Sequence, residues 1–218
     1  MTEQRRARRP TAPTFDRCEG RALTTVLVVL NGNSFRAATP GALTADAAAT
    51  LRRESGDRVV QLATPAIRSP ASIQTLATSI RRVAHGQPVG LVGFSAGGAL
   101  ALRLAALPNL RVAAVLDYYG VPDVRAYLDR HAADRVVQPI VGLSPFRPAL
   151  VAAFSGPIAT RAHVVAAFGT RDPNVGADAT APDLLADHPD AAVYAYDGGH
   201  GVGLTASRPA LADFLAHL

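Results

Sequence analysis

The chain contains no lysine, a single cysteine, few aromatics and no long apolar run, and each shortage removes a class of chemistry. Without lysine there is no Schiff base, no pyridoxal phosphate attachment and no P-loop lysine; all 22 basic residues are arginine. The lone Cys18 can form no intramolecular disulfide and cannot build a cysteine-based metal site, so nothing argues for an oxidising compartment. Apolar runs such as Val26–Leu30 fall far short of the roughly 18 residues of a membrane span, and no signal-type apolar segment follows the basic N-terminus. The expectation is a soluble, cytoplasmic protein with no membrane partner.

With 218 residues, 49% of them hydrophobic, the chain can fill one core but not two. This predicts one folded domain over residues 21–218 behind a flexible basic arm, residues 1–20. The net charge of +5 does not point to nucleic acid, because residues 1–10 hold four arginines against Glu3 and contribute +3 of it. The remaining +2 is spread without basic clusters or interleaved aromatics, so no nucleic-acid partner is expected.

The most informative stretch is Pro88 to Leu107. Its apolar Val89–Phe94 reads as a buried parallel strand and its Ala/Leu-rich part from Ala99 as a helix, with Gly-Phe-Ser-Ala-Gly-Gly between them. Side chains at Gly93 and Gly97 would collide where strand and helix converge, so the glycines permit a tight corner that exposes Ser95. Ser95 is the candidate nucleophile; the plain alternative is a serine that caps the helix.

Around it the chain alternates. Strands are expected at Leu23–Leu30, Arg58–Ala63, Arg111–Leu116, Ala162–Phe168 and Ala191–Tyr196. Helices are expected over Pro40–Ser55, from Pro70 to His85-Gly86, near 123–131 and 147–154, and over Pro182–Asp187 and Arg208–Leu218. Such alternation predicts an α/β fold: a doubly wound, mostly parallel sheet with helices on both faces. The proline-rich connection between Gly120 and Arg161 is long enough for a functional cover and too short for a separate cap domain.

A serine hydroxyl needs a base, and the base needs an orienting carboxylate. Of the six histidines, His85 and His188 sit at helix ends, His131 lies in the proline-rich segment, His163 begins a strand and His217 is next to the last residue. Only His200 lies in a glycine-rich loop just after a strand. Asp172 follows the penultimate strand in a Gly-x-x-Asp-Pro turn, giving the order Ser, Asp, His. Asp117, also at a strand end, is the alternative orienting group, whereas a turn role suffices for Asp197.

An oxyanion would need backbone N–H donors, one from Ala96 and one from Gly32 or Asn33 in the Asn31–Ser34 turn after the first strand. Tyr118 and Tyr119 are candidates for the substrate pocket. No metal or organic cofactor is required by this chemistry.

The pieces GFSAGG, FGTRDP and YDGGHGV, with DYYG after the strand that follows the elbow, make the chain resemble the α/β-hydrolases and the dienelactone hydrolase family in particular. The resemblance implies a minimal α/β-hydrolase fold and a Ser95–Asp172–His200 triad acting on an ester-like bond of a small molecule. Two positions depart from the family's pattern: Ser95 stands where dienelactone hydrolases carry cysteine, and Asn31 where they usually carry an acidic residue. The activity implied is therefore that of a general serine esterase. An acyltransferase or thioesterase using the same residues, and a non-catalytic binding protein on the same fold, are the alternatives.

Overall fold

The computed structural model describes residues 25–130 and 147–218. The basic arm, the expected strand start at Leu23, His131, and Pro139 and Pro145 of the connection lie outside the described residues.

Six strands form one parallel sheet: β1 (Val26–Leu30), β2 (Arg58–Leu62), β3 (Val89–Phe94), β4 (Val112–Tyr118), β5 (His163–Gly169) and β6 (Ala192–Tyr196). Their order across the sheet is β2-β1-β3-β4-β5-β6. The helices are α1 (Ala42–Ser55), α2 (Pro70–Ala84), α3 (Ala96–Ala105), α4 (Val124–Arg130), α5 (Arg147–Phe154), α6 (Ala177–Asp187) and α7 (Arg208–Ala216).

Every residue of β1 and β3 is buried. Successive strand residues point to opposite faces, so both faces of the sheet are covered, which is why these strands read as continuous apolar runs rather than alternating ones. Val26 pairs with Arg58 on one side and Val89 on the other, and β1, next to the edge strand β2, is where the winding direction reverses. From β1 the chain steps outward to β2, then returns to place β3 on the opposite side. The reversal leaves a crevice at the carboxyl ends of β1 and β3, the position at which open α/β sheets display their sites. The Asn31–Ser34 loop and Ser95 both emerge there.

Two helix boundaries differ from expectation. α3 begins at Ala96, directly after Ser95, so Gly97 and Gly98 belong to its first turn, while Gly93 lies in β3. α6 begins at Ala177 and carries Pro182 inside it. A proline removes one intrahelical hydrogen bond, a local loss that Leu184, fully buried against the core, offsets. Among the described residues no helix is long and apolar enough to cross a membrane.

Candidate active site

Ser95 has φ 53° and ψ −124°, a backbone conformation that costs a non-glycine residue on the order of 1–3 kcal/mol. Its neighbours hold it there: the Ser95 N–H donates to Tyr118 O at 2.8 Å, and its carbonyl accepts the Gly98 N–H at 2.8 Å. The two glycines of the corner are sterically required. A Cβ at Gly93 would stand 2.1 Å from Gly97 O, and one at Gly97 would stand 2.5 Å from Leu30 O.

The loop after β6 brings His200 to this corner, with its Nε2 3.1 Å from Ser95 Oγ. On the other side of the ring, Nδ1 lies 2.8 Å from Asp172 Oδ2. Asp172 follows β5, and its Oδ1 accepts the backbone N–H groups of Asn174 at 2.8 Å and Val175 at 3.0 Å. Burial alone would push this carboxyl up. The hydrogen bonds from His200, Val175 and Asn174 outweigh it and hold Asp172 below the usual carboxylate range. An ionised carboxylate only accepts, so His200 Nδ1 carries the proton, and Nε2 is left to accept the Ser95 hydroxyl.

The Ala96 N–H, at the first position of α3, has no intrahelical acceptor. Gly32 lies against it: a Cβ there would stand 3.0 Å from Ala96 N and 2.3 Å from Phe94 O. Asn33 turns its side-chain amide into its own loop, donating to Ala37 O at 3.0 Å.

Asp117 does not join this group. It ends up fully buried in β4, its Oδ1 accepting the Gly120 N–H at 2.8 Å, while Oδ2 finds no partner among the described residues. Nor is Tyr118 a pocket wall, contrary to the expectation. Its ring is wholly buried and its hydroxyl donates to Leu204 O at 2.7 Å, so it ties the sheet to the segment before α7. Tyr119 packs against the His200 ring with centroids 4.5 Å apart and donates its hydroxyl to Val202 O at 3.0 Å. It therefore braces the histidine loop at His200 and Val202.

The cavity beside Ser95 has a volume of about 210 Å³, with Phe35, Val121, Tyr127 and Val175 as its apolar walls. None of the four stands out in the sequence. Phe35 is held at φ 62° in the loop after β1 and packs on Phe154 of α5 with centroids 4.7 Å apart. Tyr127 of α4 donates its hydroxyl to the Asn174 carbonyl, which links the cover to the Asp172 turn. A second cavity, about 250 Å³, approaches Ser95 and His200 between Asn33, Leu43 and Tyr119.

A singly reversing parallel sheet with a strained serine between β3 and α3 is the architecture of the α/β-hydrolases. Residues 33–209 match the dienelactone hydrolase family, and the chain belongs to that family, which makes it a hydrolase. No curated protein matches the sequence. Among solved structures it is similar to a truncated carbohydrate esterase from gut microbiota, with TM-score 0.67 and 18% identity over 91% of this chain and 87% of that one. It is also similar to a carboxyl esterase from the mycorrhizal fungus Tuber melanosporum, with TM-score 0.61 and 17% identity over 90% and 77%. A carboxylesterase from Lactobacillus plantarum gives TM-score 0.57 and 20% identity over 88% and 80%. At these identities the likeness is one of fold.

Proposed function

We propose that this chain is a serine hydrolase that cleaves an ester-type bond of a small molecule through an acyl-enzyme. The observation that carries the proposal is the unbroken line of hydrogen bonds from Asp172 through His200 to Ser95, at 2.8 and 3.1 Å. His200 takes the Ser95 proton at Nε2 as Oγ attacks the carbonyl carbon, and returns it to the leaving alcohol. Asp172 keeps the proton on Nδ1 and stabilises the imidazolium that forms. The oxyanion faces the Ala96 N–H and a backbone N–H of Gly32 or Asn33. A water deprotonated by His200 then attacks the acyl-serine, and Ser95 recovers its proton.

The apolar walls of Phe35, Val121, Tyr127 and Val175 suit a short acyl group, with the alcohol portion directed towards Asn33 and Leu43. A fluorophosphonate probe should label the wild-type chain and not Ser95→Ala. Hydrolysis of p-nitrophenyl butyrate should fall by at least roughly 10³-fold in that variant. Labelling that survives Ser95→Ala would overturn the assignment.

A further inference from the structure

At the opposite end of the sheet, three further side chains converge that take no part in this chemistry. His163 is the first residue of β5, Asp213 lies in α7, and His217, four residues on, caps the end of that helix. The Asp213 Oδ1 is 3.0 Å from His163 Nε2 and 3.2 Å from His217 Nδ1. All three donor atoms lie within 4.8 Å of one another. We propose that His163, Asp213 and His217 form a binding site for one divalent transition-metal ion of the zinc class.

Two donors bound tetrahedrally to one zinc ion, with bonds near 2.0–2.1 Å, sit roughly 3.3 Å apart. The two carboxylate-to-imidazole separations already match that spacing. Two imidazoles and one carboxylate are the donors that zinc, cobalt and nickel favour, whereas calcium and magnesium prefer an all-oxygen shell. The carboxylate is also held in orientation. Tyr194 of β6 donates its hydroxyl to Asp213 Oδ2 at 2.8 Å, which leaves Oδ1 aimed at both rings.

One movement is needed. The imidazoles of His163 and His217 stack with centroids 3.5 Å apart and planes 16° from parallel, so a single ion cannot lie in both ring planes until one ring turns. The His217 side chain is 47% exposed and can turn. As the ion binds, His217 Nδ1, 2.9 Å from the Asp213 carbonyl oxygen, and His163 Nε2 give up their protons, and each neutral ring carries its one proton on its other nitrogen. Water completes the coordination. The ion ties the start of β5 to α7, far along the strands from Ser95, so its effect is on stability.

The test uses tag-free full-length chain, stripped with EDTA, dialysed and titrated with zinc sulfate by calorimetry and thermal unfolding. One ion per chain is expected, with the unfolding midpoint raised by roughly 5–10 °C at free zinc near 100 times Kd. His217→Gln, at an exposed position that leaves the fold intact, should lose that shift and weaken binding at least tenfold, as should His163→Gln. Tyr194→Phe should weaken binding by roughly 10-fold or more through the freed carboxylate. Cobalt should give a visible d–d absorption in the wild type that His163→Gln lacks. No saturable one-to-one binding to the wild type, or undiminished binding in both histidine variants, would overturn the proposal.

Discussion

Asp117 and Asp172 lie at the carboxyl ends of neighbouring strands, both removed from water, and their acidities shift in opposite directions. Asp172 receives three hydrogen bonds, from His200, Asn174 and Val175, and stays ionised. Asp117 receives one, from Gly120, and burial pushes it up to about 7. Burial is common to the two; the number of donors aimed at the carboxylate separates them. One carboxylate stays ionised beside an imidazole, and the other, buried beneath the elbow, is held towards its neutral form. A Cβ at Gly98 of α3 would stand 1.8 Å from Asp117 Oδ1, so the helix behind Ser95 packs directly on that carboxyl.

Activity should separate the two most widely. Asp172→Asn is expected to lower kcat/KM for a p-nitrophenyl ester by roughly 10³–10⁴-fold, because the imidazole loses its tautomer and its counter-charge. Asp117→Asn, which touches neither Ser95 nor His200, should stay near the wild-type value. Equal losses in both variants would break the distinction.

Stability against pH should separate them next, with opposite signs. The Asp117 contribution is fully present below about pH 4 and is lost as pH rises through about 7, on the order of 4 kcal/mol in all. The Asp172 contribution is present above the unfolded carboxyl range and is lost as pH falls below it. Urea midpoints between pH 3 and 8 should therefore show Asp117→Asn removing the neutral-side decline and Asp172→Asn removing the acid-side one. A decline unchanged in Asp117→Asn would show that the buried carboxyl does not control it.

The smallest effect is expected at Tyr127→Phe. Loss of its hydroxyl frees the Asn174 carbonyl, at a cost of about 1 kcal/mol in stability. KM should rise several-fold while kcat holds, since the bonds from Asp172 to His200 and Ser95 remain. A kcat loss approaching that of Asp172→Asn would mean that the cover, and not only the turn, positions the carboxylate.

The sheet was legible because fully buried parallel strands are continuous in apolarity, and Gly93 and Gly97 marked the corner because only glycine fits between crossing backbones. His200 and Asp172 could be singled out by their place after strands, since topology alone sends such loops to one edge. The cavity walls were not legible: Phe35 and Tyr127 meet it through loops and a short helix whose positions depend on packing against Phe154 and Asn174. Tyr118 misled because it is still the last residue of β4, where adjacent residues point opposite ways, and its hydroxyl went to Leu204. His163 and His217 each had an unremarkable local setting, and only tertiary folding set their rings side by side.

The distance along the chain between Ser95 and His200 also fixes an order of events during synthesis. Ser95 and His200 are separated by 105 residues, and β5 and β6 must be made and docked before the loop after β6 can reach the corner. At roughly 5–20 residues per second, the serine leaves the ribosome about 5–20 s before its histidine. For that interval the nascent chain carries the Ser95 hydroxyl without the His200 imidazole. On the mechanism proposed above, hydrolytic capacity appears only as the last strand joins the sheet.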